Sequence, residues 1–272
     1  MSGDRDIERD LERAWARLDD GDLDGAAAAL ESARAAAPDD PKVLELQAEL
    51  AVELDDFKGA LRAYERWSEV EPEEPLPHIR AAEARLDLLG DAPGAVASLR
   101  GLLEGSALDP EDEADARHLL GLALEEEGDR RGMIREWLQV LRLDTAHASG
   151  RPLLPTDEFA EVASDALLEL PDEIQAWLAN VPVLVDDRPS EDMVSDGVDP
   201  RLLGLFSGYA MPDQSSMYGA LQPTVIHLFQ RNLESEVDSA DDLAEQIRIT
   251  VLHETAHYFG YEDDELDRLG LG

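Results

Sequence analysis

The sequence predicts a chain that is mostly α-helical with a small α+β domain, and three observations carry the prediction. A pattern of small and large packing residues recurs after 34 residues in the first half, a period typical of a repeated helix pair. Alanine and leucine are abundant while aromatics make up 5% of the residues, which favours close helix packing over large aromatic cores. In the second half, β-branched runs precede a long amphipathic segment, the order of a small sheet set against a helix.

The repeat is read directly from the residues. Gly21-Asp22-Leu23-Asp24-Gly25-Ala26, followed by Leu30, Ala33 and Pro38, matches Asp55-Asp56-Phe57-Lys58-Gly59-Ala60, followed by Tyr64, Trp67 and Pro72. A third copy runs through Leu89-Gly90-Asp91-Ala92-Pro93-Gly94-Ala95, with Leu99 and Leu102 at the packing positions and an insertion before Pro110. A fourth combines His118-Leu119-Leu120-Gly121-Leu122-Ala123-Leu124 with Gly128-Asp129-Arg130-Arg131-Gly132-Met133, Trp137 and Val140, with Thr145 in place of the closing proline. The small residue lets two helices approach and the large ones fill the space beside it. This pattern resembles the tetratricopeptide repeat, a helix-turn-helix unit, and such arrays bind peptides or proteins in a groove. The opening segment with Ile7, Leu11, Trp15 and Leu18 fits the pattern poorly and reads as a capping helix. His78, His118 and His147 share no ligand spacing and read as surface or packing residues.

The helical pattern breaks between Ala146 and Pro155, and Gly150-Arg151-Pro152-Leu153-Leu154-Pro155 reads as a linker. The expected division is a repeat domain over 1–149 and a second domain over 150–272. Thr156 and Asp157 can cap a helix carrying Phe159, Val162, Ala163, Ala166 and Leu167, and Pro171-Asp172-Glu173 opens a short second one. Val181-Pro182-Val183-Leu184-Val185 reads as a buried strand, followed by an acidic loop. Leu203-Gly204-Leu205-Phe206-Ser207-Gly208-Tyr209 reads as a strand and turn near the site, and Thr224 to Arg231 as another strand.

Chemistry concentrates in His253-Glu254-Thr255-Ala256-His257-Tyr258-Phe259-Gly260-Tyr261-Glu262-Asp263. Histidines four apart share one helix face, where two imidazoles can hold a metal, and Glu254 beside them can accept a proton from water. Ser239-Ala240-Asp241-Asp242 forms a capping box, and Leu243, Ala244, Ile247, Val251 and Leu252 form the buried stripe that leads into the histidines. Gly260 suits the turn that ends this helix past Phe259. A third ligand must come from beyond it: Asp263 is the choice, with Glu262, Asp264 and Glu265 also within reach. Two imidazoles and a carboxylate suit zinc (Zn2+), although manganese, cobalt or iron could occupy the same donors.

The segment order, Leu-Gly-Leu-Phe-Ser-Gly at 203–208, Val-Ile-His-Leu-Phe-Gln-Arg at 225–231 and the extended HExxHxxGxxD motif together resemble the bacterial minimal zincin-like metallopeptidases over about residues 155–272. The resemblance implies His253, His257 and Asp263 as zinc ligands and Glu254 as general base. It does not extend to the repeats and implies no substrate. His227 reads as a cross-strand packing or hydrogen-bonding histidine, with lining the cleft to polarise a carbonyl as its alternative, and Tyr209, Tyr218 and Arg231 are candidate oxyanion or carboxylate contacts.

The net charge is −40, from 63 acidic and 23 basic residues, with a pI near 4.2. That balance opposes binding to nucleic acid or to anionic membranes, and acidic helix faces maintain solubility. There is no cysteine, so disulfides and thiolate ligands are excluded. The polar N-terminus and the lack of a long apolar run lead to the expectation of a cytoplasmic protein. The expected function is a zinc-dependent peptidase whose repeats present a protein or peptide substrate or adaptor. The alternative is an inactive zincin-like scaffold whose repeats mediate protein–protein interaction.

Overall fold

A computed structural model describes residues 2–147, 150–170, 172–178, 181–208 and 225–259. The chain forms two compact units, Met1–His147 and Ala148–Gly272.

The first unit is a run of helices: α1 (Ser2–Asp19), α2 (Leu23–Ala36), α3 (Pro41–Glu53), α4 (Phe57–Val70), α5 (Pro75–Glu83, continuing as a wider-wound turn Ala84–Leu88), α6 (Ala92–Gly105), α7 (Pro110–Glu126) and α8 (Arg130–Ala146). They pack in sequential pairs, α1 on α2, α3 on α4, α5 on α6 and α7 on α8. One turn device recurs in all four pairs. Gly21, Asp55, Gly90 and Gly128 take positive φ angles of 73°, 57°, 62° and 76°, which reverse the chain at the end of the first helix. The next residue caps the second helix: Asp22, Asp56, Asp91 and Asp129 accept the amide of Gly25, Gly59, Gly94 and Gly132 at 2.9–3.1 Å. A Cβ on any of those four glycines would fall 2.1–2.4 Å from the capping carboxylate, so the glycine belongs to the cap.

Ala26, Ala60 and Ala95 follow those glycines and are fully buried at the helix crossings. Where alanine is replaced, Met133 is buried instead. The contact that admits Trp137 is made by Gly121, whose added Cβ would lie 2.0 Å from the indole Nε1. The opening helix α1 buries Leu11 and Ala14, with Ile7, Trp15 and Leu18 packed at the edge of the same cluster. His78 Nε2 and His147 Nδ1 sit 3.3 and 2.9 Å from the carbonyls of Pro72 and Leu143, while His118 stacks on Trp137.

The second unit contains α9 (Thr156–Leu168), α10 (Asp172–Leu178), β1 (Val183–Asp186), α11 (Glu191–Ser195), β2 (Gly204–Ser207), β3 (Val225–Phe229), α12 (Gln230–Ser235) and α13 (Ala240–Tyr258). Among the described residues the sheet order is β1-β3-β2, with β1 parallel and β2 antiparallel to the central β3. Alternation along the strands turns Val183, Val185, Ile226, Leu228 and Phe206 toward a core shared with Phe159 of α9 and Leu243, Ile247 and Val251 of α13. Leu243, Ile247 and Val251 are fully buried, and each such side chain contributes about 1.5–3 kcal/mol relative to exposure.

Several sequence expectations change here. Gly150–Pro155, read as a linker, is tied to the second unit: Leu153 N–H donates to Glu234 Oε1 at 3.0 Å, and Gln230 Nε2 donates to Leu154 O at 2.8 Å. Helix α9 takes Pro155 as its N-cap position with no side-chain cap, and Thr156 is its first helical residue. Strand β1 is half buried, with Leu184 45% exposed, because only one of its faces meets the core. The acidic loop contains the short helix α11, capped by Ser190 accepting the amide of Met193 at 3.2 Å. Strand β3 stops at Phe229 and the chain turns directly into α12. Asn232 there is buried, donating to the carbonyls of Pro200 and Leu202 at 2.9 and 2.7 Å and accepting from Arg188.

Candidate functional site

Helix α13 brings the chemical groups together. Ser239 is its N-cap: the hydroxyl accepts the Asp242 amide at 3.1 Å and donates to the Asp242 carboxylate at 2.5 Å. Asp241 and Asp242 in the first turn also favour the positive end of the helix dipole. The helix packs against α9, β2 and β3, which fixes its rotation. That rotation buries Leu243, Ile247 and Val251 and leaves His253 and His257 half-buried.

The two imidazole rings lie with centroids 4.6 Å apart and planes at 79°, and their Nε2 atoms approach to 3.0 Å. One metal ion with bonds of about 2.0–2.1 Å to each nitrogen can span such a separation. This donor pair therefore fits a borderline cation such as zinc. Among the described residues no group of three or more metal-binding side chains is assembled, and Asp263, Glu262, Asp264, Glu265 and Gly260 lie outside the described residues. The helix closes at Phe259, whose amide donates to Ala256 O at 2.9 Å.

Glu254 takes a different face from the histidines. It is 6% exposed, and its Oε2 accepts the backbone amide of Phe206 on β2 at 2.6 Å. Gly204, two residues earlier on the same strand, lies so close that an added Cβ would stand 2.9 Å from Glu254 Oε1 and 2.8 Å from Thr250 Cγ2. The carboxylate is thus held between helix and strand, one residue along the chain from the His253 imidazole. Sequence reading put the 203–209 stretch near the site, but the partner it offers is a main-chain N–H, which leaves no mark on residue identity. The available signal was the glycine, since glycine inside a strand marks a close approach of another element.

The remaining candidates separate. His227 lies on the sheet face opposite Ile226 and Leu228, its Nδ1 3.3 Å from Asp186 Oδ2 and its ring stacked on Phe229. Strand alternation therefore points it away from the helix that carries Glu254. Arg231 engages Glu234 at 3.1 Å and the carbonyl of Gly150 at 3.5 Å. Tyr209 and Tyr218 fall outside the described residues.

A capped helix bearing HExxH, laid on a small mixed sheet and joined to a helical-repeat unit, defines the class of protein. Comparison with known proteins gives the same pair of parts. Residues 178–272 match the family model of zincin-like metallopeptidases, and residues 17–86 match that of the tetratricopeptide repeat. The chain thus joins a tetratricopeptide-repeat segment to a zincin-like segment. No curated protein matches it. Among solved structures it is similar to MamA MSR-1 C2, with 24% identity over 52% of this chain and 78% of that one and a TM-score of 0.44. It is also similar to PilW, a widely conserved type IV pilus biogenesis factor, with 15% identity over 97% of this chain and 98% of that one and a TM-score of 0.46. No helix among the described residues is long and apolar enough to cross a membrane.

Proposed function

We propose that this protein is a zinc-dependent peptidase in which His253, His257 and Asp263 hold the metal, Glu254 is the general base, and the repeat unit binds a protein or peptide substrate or adaptor. The boundary between the two roles falls near residue 150, and the setting is the cytoplasm. The observation that carries the reading is the pair of Nε2 atoms 3.0 Å apart beside a buried carboxylate on the same helix. The match of residues 178–272 to zincin-like metallopeptidases supports it.

Zinc, when bound, supplies Lewis acidity that polarises a carbonyl and lowers the pKa of water to about 7. The chain's own residues do the rest. His253 and His257 present two ring nitrogens from one face of the helix. Glu254 removes a proton from the attacking water as its oxygen bonds to the peptide carbon, then returns that proton to the amine as the C–N bond breaks. The Phe206 amide keeps the carboxylate from rotating away between the two transfers. The acidic surface of the protein favours basic partners.

Metal analysis together with cleavage of a peptide library tests this. Glu254→Gln is expected to lose at least about 10²-fold in turnover and keep its zinc. His257→Ala is expected to lose both. Cleavage by Glu254→Gln at the parent's rate would exclude Glu254 as the base, and a parent that binds zinc but cleaves nothing in the library would favour the scaffold alternative.

A further inference from the structure

We infer that the outer edge of β2 is a positioning device for Glu254: Gly204 leaves the space that the carboxylate occupies, and the Phe206 amide sets its orientation. The inference rests on the reading of Glu254 as the base.

The register dictates the device. Phe229 N–H donates to Leu203 O at 2.9 Å, and Gly204 and Phe206 stand opposite Leu228 and Ile226. In an antiparallel ladder bonded and non-bonded pairs alternate, so the amides of Gly204 and Phe206 face the outer edge, away from β3. An edge amide that is shielded from water must find another acceptor. Phe206 finds it in Glu254, in a charge-assisted bond of 2.6 Å across 48 residues of sequence.

Gly204 is explained by the same register. Residues 204 and 206 project from the sheet face that meets α13, since Phe206 joins the core shared with Val251 and Ile247. A Cβ at 204 would stand 2.8 Å from Thr250 Cγ2, 2.9 Å from Glu254 Oε1 and 3.0 Å from Glu254 Cγ. Thr250 and Glu254 are one helical turn apart and present a common surface. Thr250 has little freedom to yield, being 5% exposed with its hydroxyl donated to Gln246 O at 2.9 Å. The φ of Gly204 is not in the left-handed region, so the backbone does not demand glycine there. The demand comes from the helix, and Glu254 supplies two of the three closest atoms. Gly204 and Phe206 act through Glu254 and touch no substrate in this scheme.

The test uses the full chain. Gly204→Ala is expected to lower kcat about 10- to 100-fold, the scale of a misplaced catalytic group, with KM and bound zinc within twofold of the parent. Loss of zinc in parallel with kcat, or an unchanged kcat in a folded, zinc-loaded Gly204→Ala, would overturn the inference. A thermal double-mutant cycle needs no turnover. Gly204→Ala is expected to lower the Tm by about 5 °C in the parent and by less than half of that in a Glu254→Ala background, where two of the three contacts are gone. Equal Tm losses in the two backgrounds would overturn it. If Gly204→Ala alone does not fold, recovery of the fold in the Gly204→Ala/Glu254→Ala pair is the same result, and failure of the pair to fold overturns it. A parent without peptidase activity would remove Glu254 as base, while the thermal cycle would still decide whether Gly204 is kept small by Glu254.

Discussion

Trp137 shows how far one atom can matter in this chain. Its indole is 2% exposed and Nε1 donates to His118 O at 3.4 Å. A Cβ on Gly121 would enter at 2.0 Å from Nε1 and 2.3 Å from Cδ1, against a rigid ring in a packed interior. Gly121→Ala is therefore expected to destabilise the repeat unit by about 1–3 kcal/mol through overpacking. Urea unfolding would show a lower midpoint at unchanged slope, and an unchanged midpoint would show that the indole has room to move. Sequence reading placed Gly121 and Trp137 at repeat positions without pairing them. Their contact crosses between α7 and α8, and only the crossing of the helices decides which residue faces which.

At the scale of the element, α13 is the helix that carries His253, Glu254 and His257, and its start is set by Ser239. Ser239→Ala removes the acceptor of the Asp242 amide and is expected to cost about 1 kcal/mol. The two histidines lie fourteen and eighteen residues further on, roughly 21 and 27 Å along the axis, so zinc affinity is expected to stay within twofold. Calorimetric melting with zinc titration checks both halves, and a large loss of zinc affinity would mean that fraying reaches the site. The capping box and apolar stripe made this helix legible in sequence because both signals are local. Helices α11 and α12 were missed for the converse reason. Each spans about one to two turns and carries too little periodicity. The turn into α12 at Gln230 is stabilised by partners distant in sequence, Leu154 and Pro200 among them.

At the scale of the whole molecule, charge is the dominant liability. A net charge of −40 places the folded chain under self-repulsion that unfolding relieves. Raising sodium chloride from about 0.01 to 0.5 M at pH 7.5 shortens the screening length severalfold and is expected to raise the Tm. Acidification is expected to act in the same direction. Burial pushes the carboxyls of Glu45, Asp87 and Asp112 above their ordinary range, and repulsion from Glu49, and from Asp109 and Asp115, adds to the rise at Glu45 and Asp112. A raised carboxyl contributes stability that is complete below its unfolded pKa of about 4 and is lost as pH rises through the folded value. Moving from pH 7.5 to 5 is thus expected to stabilise the repeat unit, with a smaller salt effect at the lower pH. Asp39 runs the other way, lowered chiefly by its hydrogen bond from Arg66, and its contribution is lost only under stronger acid. Circular dichroism melts across a grid of salt and pH test this, and a Tm that falls with salt would contradict it.

The repeat period, the capped helix and the histidine pair could all be read from the sequence alone. Each depends on spacing along the chain, and helical geometry converts a spacing of three, four or 34 residues into a shared face or a stacked pair without reference to anything distant. The tertiary structure decided which side of the sheet His227 faces, how Gly150–Pro155 is tied down, and what holds Glu254. Those depend on strand register and helix rotation. A shift of one residue in β2 would turn the Phe206 amide toward β3 and leave the Glu254 carboxylate without the donor that it meets 48 positions away.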